Sequence, residues 1–210
     1  MSDDPKQRIL DAAFAEFSAN GKAGARMQAI AERAQVNQAM LNYYFKSKDD
    51  LYHEVIRQSV IECGHEMSLP QQMDREGWRQ AVLEHVERDL RFWAEHTDLL
   101  RLVMHDLLAG GEGMKLAMQR AMERPQSQRL FNEITASGCF RDRDQRQVFL
   151  HLAPLVLFTR LFMPTVEALW PGSMNERDFL EARIRAVREF LLHGIFSSGD
   201  SADSLDPSHA

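Results

Sequence analysis

Apolar positions along most of this chain recur at three- and four-residue steps. Ile9, Leu10, Ala13, Phe14 and Phe17 fall on one face of a helix. Pro5 suits the first turn of that helix, and Asn20-Gly21 is a stop signal. Short helices follow over about Met27–Ala34 and Gln38–Phe45. Ser47 then stands as an N-cap, with Asp49 and Asp50 facing the positive end of a helix that carries Leu51, Val55, Ile56 and Val60. That helix fades near Cys63-Gly64 and ends by Ser68-Leu69-Pro70. Longer helices are predicted over about Arg75–Glu95, Asp98–Ala109, Gly113–Ser137, Asp144–Leu169 and Asn175–Phe196. Pro125, Pro154 and Pro164 fall inside these spans and predict kinks or boundaries. No run alternates as a strand would, and no repeat appears at solenoid periods. The tail 197–210, rich in Ser and Asp, is expected to be disordered.

Composition narrows the class. The 210 residues, 44% hydrophobic with 11 Gly and 7 Pro, suffice for one large domain or two small ones. Cys63 and Cys139 cannot form a disulfide framework, so a reducing cytoplasm is the expected location. The acidic start has no apolar h-region, and no apolar run approaches the ~20 residues of a membrane span. The net charge of −6 at first argues against a polyanionic partner. Its distribution reverses that argument. Residues 5–48 hold seven Lys/Arg against three acids, a surplus of four, so the remainder beyond Asp3 and Asp4 carries −8. A small basic unit is attached to a large acidic one.

Within the basic unit, Ile30, Ala34, Val36, Leu41 and Phe45 are spaced to close a small core between two short helices, and Asn37 can cap the second. Helix, tight turn, helix is the arrangement that lays a second helix in the major groove; an ordinary αα-corner has the same local pattern. Gln38, Ala39 and Asn42 lie on the exposed side of the second helix. Asn and Gln match adenine N6 and N7, and an Ala methyl matches that of thymine. Tyr43 and Tyr44 offer hydroxyls to phosphate, Lys46 and Lys48 offer charge, and Arg26 and Gln28 sit where the first motif helix begins.

Residues 5–56 resemble the DNA-binding domain of the tetracycline-repressor (TetR) family of transcriptional regulators. The resemblance rests on Ile9-Leu10-Asp11-Ala12-Ala13, Phe17, Gly21, Ile30-Ala31, Ala34, Val36 and Leu41-Asn42-Tyr43-Tyr44-Phe45-Lys46-Ser47-Lys48-Asp49-Asp50-Leu51. It implies operator DNA as partner, Lys48 as a phosphate lysine, and a homodimer responsive to a small molecule. Three positions depart from the family pattern. Gln35 stands where Gly is usual, which strains the turn if φ there is positive. Arg26 stands where Ser or Thr usually caps the helix, and Asn42 replaces an aromatic residue.

The acidic remainder matches the family in length and helical character. Val148, Leu152, Leu155, Thr159, Phe162 and Val166, with Leu180, Ile184, Val187 and Leu191, repeat as a/d seams. Paired across two subunits they would form a four-helix bundle; alone they would fill the monomer core. An apolar or aromatic effector is expected among Trp78, Phe92, Trp93, Met104, Leu108, Met114, Met118 and Phe158, with Arg101, His105 or Arg160 as polar anchor. The sequence has no His-Glu-x-x-His or Cys-x-x-Cys spacing, and no phosphate loop or nucleophile elbow is present.

The expectation is an all-α protein without cofactor, metal or enzymatic activity. Residues 1–50 would form a three-helix DNA-binding domain, and residues 51–196 a larger ligand-binding and dimerisation domain. Its partners would be double-stranded operator DNA, a second copy of itself and a small effector, with no membrane. The helix after Ser47 would act as lever between the two functions. The alternative is a helical enzyme or carrier, metal-dependent or not, that binds no DNA.

Overall fold

The computed structural model describes residues 4–63, 73–141, 144–171 and 176–196. The expected disordered tail lies outside the described residues. Eleven α-helices are present among them: α1 (Pro5–Gly24), α2 (Met27–Arg33), α3 (Gln38–Tyr44), α4 (Lys48–Cys63), α5 (Arg75–Glu95), α6 (Thr97–Leu108), α7 (Glu112–Met122), α8 (Pro125–Ala136), α9 (Gln145–Leu161), α10 (Met163–Leu169) and α11 (Glu176–Phe190). A π-helical turn over Leu191–Ile195 extends α11. The fold is all-α. Among the described residues the only β pairing is an isolated bridge between Phe140 and Phe196.

Prolines decide where the long apolar spans divide. Pro125 opens α8, so the predicted Gly113–Ser137 helix is two helices. Pro164 sits in the first turn of α10, and α9 and α10 meet at a 61° bend. A first-turn proline loses no helical hydrogen bond, because its missing N–H would be unpaired there anyway. Pro154 stays inside α9. Among the described residues no single helix is long and apolar enough to cross a membrane; the bent α9–α10 pair reaches that length and composition.

The described residues form two compact units, neither continuous in sequence: residues 4–63 with 95–128, and residues 73–94 with 129–141, 144–171 and 176–196. In the first, α6 packs along α1 and α7 along α4. Ile9, Ala13, Phe17, Leu51, Ile56 and Leu102 are fully buried there. In the second, Trp78, Val82, Leu83, Val86 and Leu90 of α5 form a core with Val156 of α9, Ile184 and Val187 of α11, Leu191 and Phe196. Arg141 fastens the end of that unit: its backbone N–H donates to Ile195 O (2.9 Å) and its guanidinium to the carbonyls of Phe196 and His193.

A candidate DNA-binding site

The three-helix head is built by local rules. Asp4 caps α1 by accepting from Lys6 N (3.0 Å). The regular part of α1 stops at Gly21, whose φ of +65° and ψ of 173° suit glycine alone. A Cβ there would also lie 3.1 Å from Nδ1 of His105. Helix α2 begins at Arg26, whose side chain makes no capping bond. Glu16 substitutes from α1: its buried carboxylate accepts from Arg26 N (3.4 Å) and from Asn20 Nδ2 (3.1 Å). A carboxylate is also the right charge for the positive end of a helix.

The turn between α2 and α3 is closed by Val36 N donating to Ala31 O (3.0 Å) and Gln35 N to Glu32 O (3.1 Å). Gln35 takes φ +55°, so the condition for strain at this position is met, and no other described non-glycine residue has positive φ. Asn37 then caps α3, its Oδ1 accepting from Met40 N (2.8 Å). Leu41 and Phe45 turn inward beside Ile30 and Ala34, all fully or nearly fully buried, and Val36 is half-buried. Ser47 caps α4 by accepting from Asp50 N (3.0 Å).

What remains outside is the face that could meet DNA. Gln38, Ala39, Asn42 and Tyr43 form one exposed row on α3, with Tyr43 83% exposed. Gln38 Nε2 donates to Asn42 Oδ1 at 3.2 Å. The Tyr43 ring stands edge-on to that of Tyr44, which is half-buried (centroids 5.3 Å apart). Arg26, Gln28 and Lys46 are exposed, Gln28 donating to Glu32 (3.0 Å). Lys48 is half-buried and donates to the carbonyl of Ala23 (3.3 Å), which anchors its ammonium at the end of α1. Lys22 is paired with Asp49 (3.0 Å) and lies over the Tyr52 ring.

Behind the head, a buried carboxylate joins α4, α6 and α7. Asp106, at the end of α6, accepts from Gly113 N (3.2 Å) and Met114 N (2.7 Å) at the start of α7. Tyr52 of α4 hydrogen-bonds to the same carboxylate; burial first, and then the Asp106 charge, push the phenol well above its ordinary range. Gly113 permits the close approach, since a Cβ there would lie 2.8 Å from Asp106 Oδ1 and 3.1 Å from Ile56. Sequence reasoning missed Glu16 and Asp106, each of which serves the start of the following helix from beyond ordinary capping distance.

The expected effector residues divide between the units. Arg101, Met104, His105, Leu108, Met114 and Met118 are in the first; Trp78, Phe92, Trp93 and Phe158 are in the second. Trp78 is used in the core. Phe92 and Trp93 meet edge-on (5.4 Å), and Phe158 stacks on Phe162 (5.6 Å). Arg101 pairs with Asp98 (3.2 Å), His105 covers Gly21, and Leu108 is 87% exposed.

The residues of the expected dimer seam differ in burial. Ile184, Val187 and Leu191 are buried in the core of their own chain. Val148, Leu152, Leu155 and Leu180 pack half-buried against the same core. Thr159 donates to Leu155 O and accepts from Arg183, and Val166 is half-buried. Phe162 is exposed, alongside residues not foreseen: Phe149, Leu150, Leu161, Leu169, Trp170 and Phe190.

Residues 9–55 match the family model described as bacterial regulatory proteins, tetR family. The chain is 35% identical over 99 residues to the HTH-type transcriptional repressor SCO4008 of Streptomyces coelicolor, a match spanning 47% of either chain. It therefore spans about half the length of that relative. It is 26% identical over 194 residues to the HTH-type transcriptional regulator RutR of Escherichia coli K12, covering 90% of both. A solved TetR-like transcriptional regulator from Rhodococcus sp. RHA1 shares the fold with a TM-score of 0.53 at 21% identity, over 90% of this chain and 94% of that one. A protein from Shewanella sp. PV-4 assigned to the tetR family does so at 0.68 and 18%, over 93% and 100%. The helix-turn-helix segment of this chain is similar to that of the tetR family of DNA-binding transcriptional regulators, and its all-α fold is shared with solved proteins of that kind.

Proposed function

We propose that the chain is a homodimeric repressor that binds a roughly palindromic operator and is released by a small apolar or aromatic effector. The observation that carries the reading is the exposed Gln38-Ala39-Asn42-Tyr43 row on α3, set on a basic head within residues matched to the family. In this reading the face formed by Gln38, Ala39 and Asn42 enters the major groove, while Tyr43, Tyr44, Lys46, Lys48, Arg26 and Gln28 hold phosphates. Asn37 serves them by capping α3. The head up to about residue 50 is the reading domain, and the remainder senses and dimerises. The protein acts in the cytoplasm, where its DNA is.

Dimerisation is supported by the exposed aromatic and aliphatic side chains of α9, α10 and α11. Monomers seldom leave so large an apolar area in water. Two heads then span half-sites about 34–36 Å apart. An effector shifts occupancy only if it prefers the conformation with mismatched spacing, and a switch from 1:99 to 99:1 needs about 5.5 kcal/mol of preference. Release through the α4–α6–α7 junction at Asp106 fits that requirement, since one buried group joins the three helices. The test is salt-dependent binding of the full chain to DNA from its own promoter region. Retention of a stoichiometric metal with turnover, and no DNA binding in low salt, would support the enzyme alternative instead.

A further inference from the structure

We infer that Asn42 reads one adenine in each half-site and that Gln38 is the positioning residue that fixes which way round the Asn42 carboxamide points. The inference rests on the reading of α3 as the recognition helix. The two residues stand one helical turn apart on the exposed side of α3, and Gln38 Nε2 donates to Asn42 Oδ1 at 3.2 Å. Their neighbours on the helix offer no competing amide. Asn37 is committed to the Met40 N–H, and Ala39 carries only a methyl.

The chemistry follows from the amide. Adenine presents N6–H as donor and N7 as acceptor side by side in the major groove, so its reader needs one acceptor and one donor in fixed order. A terminal carboxamide turns about a broad, two-fold torsion, and a half-turn exchanges its oxygen and nitrogen. The bond from Gln38 holds Oδ1 of Asn42 in one position. It leaves one Oδ1 lone pair to accept from N6–H and the Nδ2 hydrogen beside it to donate to N7. Gln38 in this arrangement sets the order of donor and acceptor and reads no second base.

Selection of randomised duplex DNA by the full-length protein, followed by sequencing, tests this. Compared with wild type, Asn42→Ala should lose one A·T column in each half-site, a preference of about 5- to 150-fold. Gln38→Met, which keeps the length but cannot donate, should flatten that same column and no other. The double variant should match Asn42→Ala. Loss of a different column in Gln38→Met, or additive loss of two columns in the double variant, overturns the inference while leaving α3 as the reading helix. A G·C pair in the shared column also overturns it. If the wild-type protein enriches no palindrome, the reading of α3 itself fails, and the inference with it.

Discussion

The helix-turn-helix head and the α9–α11 region solve the problem of apolar surface in opposite ways. In the head, the large side chains Ile9, Leu10, Phe17, Ile30, Leu41 and Phe45 are all buried, and the outer face is polar apart from Met40 and Tyr43. The α9–α11 region closes a core on one side and leaves Phe149, Phe158, Phe162, Trp170 and Phe190 at 44–61% exposure on the other. A polyanion is bound by charge and hydrogen bonds from a surface already stable in water. A second protein subunit is bound by burying apolar area that water disfavours. The contrast separates a finished surface from one that a partner must complete. It is broken most severely by placing a charge on the second face. Phe162→Asp is expected to turn a dimer into a monomer, since an unpaired carboxylate buried at an interface costs several kcal/mol. Sedimentation of the purified protein at micromolar concentration reads this directly. A wild-type monomer, or a variant that stays dimeric, would remove the distinction.

The second prediction concerns what keeps the head rigid. Asp106→Ala strands the Gly113 and Met114 N–H groups and the Tyr52 hydroxyl. An unsatisfied buried donor costs about 1–3 kcal/mol. Allowing for partial relaxation, the variant should lose about 3 kcal/mol, or roughly 6–12 °C in melting temperature for a chain of this size. Tyr52→Phe should lose about a third of that, because the backbone donors keep their acceptor. Thermal unfolding followed by circular dichroism compares the two; equal losses would mean that the phenol, and not the α7 start, is the group served.

How far the sequence shows these features depends on distance along the chain. The α1–α4 caps Asp4, Asn37 and Ser47 act on N–H groups two or three residues away, so residue type and spacing were enough to place Asn37 and Ser47. The Gln35 turn was half legible: the residue type shows what a positive φ would cost, and only the structure shows that φ is positive. Glu16 and Asp106 were not, because each serves a helix start seven to ten residues on, or a tyrosine 54 positions back, with no local pattern. The seams on α9 and α11 leave two readings open for a different reason. A 4-3-4 apolar step marks a buried face, but the step is the same whether the chain's own α5 or a second subunit covers it. Here Ile184 and Val187 join the α5 core, while Phe158 and Phe162 of the same region stay exposed.

On the polar face, Lys46 and Lys48 sharpen the comparison. Lys46 is exposed, whereas Lys48 is held against Ala23 O. Each phosphate contact removed should make the slope of log affinity against log salt shallower by about one, without changing which bases are preferred. Lys46→Ala should therefore weaken every duplex alike. Lys48→Ala should do the same and lower the melting temperature slightly, since it also frees the Ala23 carbonyl. Titrations at several salt concentrations separate these effects; a changed base preference in either variant would place that lysine at a base edge.

The smallest expected effect tests whether the head is as finished as its packing implies. Gln35 holds φ +55° with an exposed side chain. A left-handed conformation costs a residue with a Cβ about 1–2 kcal/mol, and glycine avoids that cost while giving up about 0.5–1 kcal/mol of chain entropy on folding. Gln35→Gly should therefore stabilise the protein by roughly 0.5–1 kcal/mol, a gain of about 1–4 °C. Operator preference should not change, because the substitution alters neither the row on α3 nor the Asn37 cap. Gain in stability with unchanged binding would mean that the turn carries strain the head does not use. Loss of binding with unchanged helix content would instead give the Gln35 carboxamide a contact with DNA, and the strain a purpose.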